Sequence, residues 1–326
     1  MTDVLPRDAG PDGVPLAANL ALLHERMREG SDAVPAVETP LRRFLAEFLE
    51  SRVATAALIV LVLLVTAAVA APWITPQNPY NLGTLDILDS RQPPGGVATA
   101  GFTMVLGSDG LGRDLYSAIV YGLRISLFVG VASGVVALLI GICAGLTAAY
   151  AGGRMESLIM RIVDLQLSFP AILIALMLVA VVGKGVDKIM LALVAVQWAY
   201  YARTIRASAL VEKRKEYVEA ARGLALGPVR IMLRHILPNC LAPLIVVCTV
   251  QTAHAIALEA TLSFLGVGMP QTEPSLGVLI ANGFEYMLSG RYWISFFPGL
   301  ALLITIVSIN LVGDQLRDTL NPRLRR

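Results

Sequence analysis

Three ionisable side chains of this 326-residue chain fall in or beside long apolar runs: Asp164, His254 and Glu259. A charge near hydrocarbon is costly to desolvate and is therefore a functional candidate by default. The chemistry open to such groups here is solute passage or gating. Asp164 is expected at one end of a membrane span and His254 late in another. Glu259 falls within a turn of that second span's far boundary, where water can reach it, so a structural or gating role is favoured over substrate binding. His254 by itself reads more simply as a packed or water-facing side chain. No catalytic constellation is present: there is no His-Glu-x-x-His and no Gly-x-Ser-x-Gly. Gly183-Lys184-Gly185 lacks the upstream glycine and the Ser/Thr of a nucleotide-binding loop. Cys143, Cys240 and Cys248 all lie in apolar runs, and their odd number and spacing suit neither a disulfide framework nor a zinc site. The chain is expected to be no enzyme and to bind no metal.

A second kind of chemistry, recognition of a partner surface, is written between Arg203 and Asn239. Eight of the 26 Lys and Arg residues fall between Arg203 and Arg234, so this segment cannot lie in hydrocarbon. Tyr217, Ala220, Ala221 and Leu224 are spaced i, i+3, i+4, i+7, one face of a short helix. Gly227-Pro228 breaks it, and Val229, Met232, Leu233 and Ile236 repeat the spacing. An apolar stripe of small residues on a polar loop asks for a partner to cover it; an amphipathic helix resting on lipid headgroups fits the spacing equally well.

Glu219-Ala220-Ala221, followed by His235-Ile236-Leu237-Pro238-Asn239, resembles the coupling loop of ABC importer permeases, most closely the dipeptide/oligopeptide branch. The segments Leu106–Asp114 and Ala260–Gly268 also resemble that branch. The resemblance implies an all-α polytopic membrane protein with six transmembrane helices and the type I importer permease fold. It further implies that Tyr217, Glu219, Ala220, Ala221, Leu224, Gly227 and Pro238 form the surface that docks on a cytoplasmic ATPase, with Glu219 meeting a basic residue there. Implied partners are a second homologous permease, two ATPase subunits (or two copies of one) and an extracytoplasmic solute-binding protein. ATP and Mg would sit on the ATPase subunits and no cofactor on this chain; nucleic acid is not implied as a partner. The branch carries dipeptides, longer peptides, nickel, glutathione and related solutes. One position departs from the pattern: Ala225 stands where the family usually has glycine. Gly223 and Gly227 flank it and could supply the displaced backbone freedom.

The elements that must position these residues follow from composition. Hydrophobic residues make up 56% of the chain and charged ones 15%, and the mean hydropathy is +0.69, far from soluble domains at roughly 25% charged. Residues 1–40 read as a polar, mostly disordered tail, with an optional short helix through Leu16, Leu20, Leu23 and Met27. Residues 41–71 give an interfacial helix and a first span over Val53–Ala71, and 72–114 a loop with a helix start at Asp114. Five further spans are expected within 115–318: Ile125–Gly153, Leu165–Gly183 entered through Ser168-Phe169-Pro170, Ile189–Leu210, Ile236–Leu258 and Tyr292–Gly313. The coupling loop covers 203–238, a loop covers Met269–Arg291, and 319–326 is a basic tail. Gly130 and Gly134, and Gly141 and Gly145, are each four residues apart and flatten part of one helix face for close approach.

Alternate segments carry 20 and 6 Lys plus Arg. The positive-inside rule puts the richer side, with both termini and the coupling loop, in the cytoplasm. That suits the cytoplasmic membrane of a bacterium or archaeon. An ion- or proton-driven secondary transporter or channel is the alternative, but it calls for broken helices in pairs or an internal repeat, neither clear in the sequence.

Overall fold

The structure is a computed structural model that describes residues 40–320 other than 82 and 84, and the chain divides into two compact units, 1–47 and 48–326. The tails expected over 1–40 and 319–326 fall almost wholly outside the described residues, as does the optional helix around Leu20.

Helix α1 (Pro40–Glu50) opens on a proline, whose missing N–H is no loss in a first turn. Helix α2 (Arg52–Ile74) is capped by the Ser51 hydroxyl, which accepts from the Ala54 N–H. Its 23 residues reach about 35 Å, enough to cross a bilayer. A folded loop follows, pinned by a two-stranded antiparallel ribbon in which β1 (Gly96–Val97) pairs with β2 (Thr103–Met104). Helix α3 (Leu115–Ala151) starts at the expected cap: an Asp114 carboxylate oxygen accepts from the Ser117 N–H at 2.8 Å. It begins well before Ile125 because Arg124 does not end it.

The expected third span is not one helix. Amphipathic α4 (Gly153–Leu167) and apolar α5 (Ala171–Val182) meet at 90° across Ser168-Phe169-Pro170. Pro170 removes a backbone donor and biases Phe169 away from helix, and the 12 residues of α5 reach only about 18 Å. Helix α6 (Val186–Glu212) runs through Arg203, so the polar loop begins at Lys213. It contains α7 (Glu216–Gly223) and the single turn α8 (Pro228–Ile231). A π turn over Met232–Ile236 and a 3₁₀ turn over Leu237–Cys240 lead into α9 (Leu241–Phe264). The region expected as a loop over Met269–Arg291 holds a nine-residue apolar helix, α10 (Leu276–Phe284), before α11 (Trp293–Leu320).

Among the described residues, four helices are long and apolar enough to cross a membrane, with a fifth if α4 and α5 count as one bent span. Six separate spans are therefore not reproduced by length and composition. Helix α6 has the length, but Asp187, Lys188, Arg203, Arg206 and Glu212 dilute its apolar character.

The core is built on the glycine face of α3. Side chains at Gly141 and Gly145 would collide with Tyr201, Ile205 and the Ala202 backbone of α6, and one at Gly130 with Ile256 of α9. Small residues let these backbones approach closely, as the spacing predicted. Val129, Leu193, Val196, Leu258 and Leu262 then fill the space between α3, α6 and α9.

Candidate functional site

Helix α7 forms because Glu216 and Glu219 lie in its first turn and Arg222 in its last, each sign matching the helix dipole. Its back is seated on its own chain: Val218 and Ala221 are buried among Leu146 and Ala149 of α3, Ile205 and Ala209 of α6, and Ile231 and Ile236. The predicted stripe is thus divided. Ala221 belongs to the interior and Tyr217 is half-buried, whereas Glu219, Ala220 and Leu224 (75% exposed) form the outward face. Gly227 and Pro238 are exposed on the following turns.

The Tyr217 hydroxyl donates to Glu212 Oε2 at 2.6 Å and accepts from Asn239 Nδ2 at 3.3 Å. Lys215 Nζ donates to the other Glu212 oxygen at 2.7 Å. Burial and then the Glu212 carboxylate push the Tyr217 phenol well above its ordinary range, so it stays protonated and keeps donating. One hydroxyl therefore ties the end of α6, the front of α7 and the approach to α9 together. Sequence spacing gave no sign of this link, because Asn239 lies 22 residues from Tyr217 and only Tyr217 belongs to the stripe.

Helix α7 ends in a Schellman turn. The Leu226 N–H reaches the Ala221 carbonyl at 3.2 Å and the Ala225 N–H the Arg222 carbonyl at 2.9 Å. The residue at the left-handed position is Ala225 itself, at φ +54°. Gly223 stays helical and Gly227 has φ −62°. Backbone freedom is therefore not displaced to the flanking glycines; alanine occupies the strained position.

The three ionisable candidates stand apart. Asp164 is exposed and pairs with Arg203 of α6. His254 is exposed on α9. Glu259 is fully buried, against the expectation that water reaches it. It accepts from Ser126 of α3 at 2.9 Å and from Ser263 at 2.8 Å, and is also hydrogen-bonded by Ser275. Ser275 caps α10 through the Val278 N–H, so one carboxylate joins three helices. Ser126 and Ser275 escaped the sequence reading because isolated serines carry no periodic signal.

At the same end of the bundle, Arg113 and Asp109 form a fully buried ion pair at 2.7 Å, and Arg113 also donates to the Gln271 carbonyl at 3.2 Å. The stretch expected to be at least a glycine-rich turn is thus a strut between two loops. Gly112 is needed there at φ +78°, where a side chain would strike the Asp86 carbonyl.

Long apolar helices around a glycine-faced core, interrupted by one charged loop whose short helix is seated on one side and bare on the other, define a multi-pass membrane protein. The model of the binding-protein-dependent transport system inner membrane component matches residues 137–326, and that of the N-terminal TM domain of oligopeptide transport permease C matches residues 39–94. The Escherichia coli K12 dipeptide transport system permease protein is 38% identical over 90% of this chain and 97% of its own length. The Pseudomonas aeruginosa di/tripeptide transport system permease protein is 36% identical over 90% and 96%. Among solved structures, the inward-facing MetNI methionine ABC transporter shares the fold at a TM-score of 0.53, covering 64% of this chain and 98% of that one, at 19% identity. The chain belongs to the binding-protein-dependent transport system inner membrane components and is a permease subunit of an ABC importer.

Proposed function

We propose that this subunit moves di- or oligopeptides, or a closely related small solute, from an extracytoplasmic binding protein into the cytoplasm. The observation that carries the mechanism is α7. Its back is fixed by Val218 and Ala221, so a push on the exposed Glu219–Ala220–Leu224 face is delivered to α3 and α6 rather than absorbed locally. The partners are a second homologous permease, which completes a pore between the two subunits, and two ATPase subunits that hold ATP and Mg. The 20-to-6 division of basic residues supports a cytoplasmic-membrane location with both termini and α7 inside. In that arrangement α6 is a sixth crossing, its charges sheltered by the partner or snorkelling to the headgroups, and α4–α5 is a broken one. The relatives' names support the peptide substrate.

The test is uptake of radiolabelled dialanine by proteoliposomes holding the complete complex and its binding protein. Uptake is expected only with ATP. Uptake driven by an ion or proton gradient without ATP would instead favour a secondary transporter.

A further inference from the structure

A groove of about 920 Å³ lies between α6, α9 and α11, with an apolar wall from Val246, Val247 and Val250. Both charged residues that line it are cations, Arg203 and Arg317, and no carboxylate does. Gln251, only 6% exposed, also lines it, and its Nε2 has no hydrogen-bond partner. A buried amide donor without an acceptor is unfavourable and is accounted for when a ligand brings the acceptor.

Arg203 and Gln251 line this one groove from α6 and α9, and each lies roughly three helical turns from the Tyr217 link, Arg203 nine residues before Glu212 and Gln251 twelve after Asn239. Asp164 pairs with Arg203, but both partners are more than half exposed, so the pair is open to exchange. Arg317, on the last turns of α11, has no ion-pair partner among the described residues; its neighbours Asp314 and Asp318 do not line the groove. The groove therefore carries excess positive charge beside apolar walls.

We propose that this groove is the subunit's own share of the solute path, and that the Gln251 amide and the Arg203 guanidinium together receive the carboxylate end of a transported peptide. This rests on the importer reading above and deepens it. The apolar α9 wall suits side chains of varied shape, while the carboxylate is the group all such peptides share. Arg317 adds a second cation to the lining of the groove.

The test uses the complete complex in phosphatidylcholine vesicles, with Cys143, Cys240 and Cys248 replaced by alanine and a reporter thiol introduced by Val250→Cys, a groove residue 44% exposed. Labelling by a neutral maleimide is timed alone, with dialanine and with dialanine amide. Dialanine is expected to slow labelling several-fold and the amide to leave it unchanged. Gln251→Leu and Arg203→Gln are each expected to abolish protection without changing the unprotected rate. Equal protection by the amide would overturn the proposal, as would protection by added phosphatidylglycerol without peptide. ATP-driven dialanine uptake without protection would refute the groove site and leave the importer reading intact. Protection without ATP-driven uptake would overturn the solute-path assignment together with the importer reading on which it rests.

Discussion

Ala225 holds a left-handed backbone angle that costs a side chain about 1–2 kcal/mol. Ala225→Gly removes that strain but loosens the unfolded chain, so a net gain of about 0.5–1 kcal/mol is expected, seen as a higher melting temperature of the purified complex with uptake unchanged. The sequence marked this position as unusual, yet only the backbone showed that alanine itself takes the angle. Tyr217 carries a second residue-scale prediction. Tyr217→Phe keeps the ring in place and removes the hydroxyl shared by Glu212 and Asn239. Uptake and solute-stimulated ATP hydrolysis should fall together while basal hydrolysis persists; unchanged stimulation would mean the link is only structural. Glu212 accepts from both Tyr217 and Lys215, so Glu212→Ala is no neutral control for its neighbours. Glu219 is exposed on the proposed docking face. Glu219→Ala should leave the chain inserted but lower uptake and weaken ATPase association, by roughly 3–5 kcal/mol if docking buries the charge pair and ~0–1 kcal/mol if it stays wet.

At the scale of elements, the glycine stripe was the most legible feature, because close approach needs small residues at fixed spacing and nothing else. Gly145→Val would drive a side chain into Ile205 and the Ala202 carbonyl. Overpacking of this kind costs about 1–3 kcal/mol, so a lower melting temperature and poor yield are expected, whereas Gly299→Ala, with open space around it, should be silent. The break between α4 and α5 was half legible. Pro170 marks the entry to the expected span, but a proline does not state whether the chain bends slightly or turns through 90°; that is decided by what α5 packs against. Helix α10 was missed because nine apolar residues are too few to span and give no clear period. Its position depends on Glu259, whose carboxylate gathers serines from three elements. Glu259→Ala strands those hydroxyls in the interior at a cost of about 1–3 kcal/mol. Glu259→Gln keeps an acceptor and should fall between that variant and the wild type in thermal unfolding.

For the whole molecule, length and composition yield four crossings, or five with the bent α4–α5 pair, and the proposed placement of both termini on one side calls for an even number. Four crossings meet that condition as six do; in the six-crossing arrangement proposed above, α6 crosses despite its charges and the bent α4–α5 pair counts as one crossing. Length and composition do not count them as separate spans, because α6 is polar where it emerges and α5 is short where it ends. The prediction is topological and can be placed on surfaces the structure shows to be open. Gln271 is exposed beside the Arg113–Asp109 strut, while Gln92 is half-buried and a poor probe. Arg214 is exposed just before α7 and makes no ion pair among the described residues. In a cysteine-free background, a membrane-impermeant maleimide added to intact cells should label Gln271→Cys at once and Arg214→Cys only after permeabilisation. Equal labelling of both would place α7 outside, where no ATPase could reach it. Labelling of Arg214→Cys alone would invert the chain and turn the 20-to-6 excess of basic residues outward, against the field that orients every crossing.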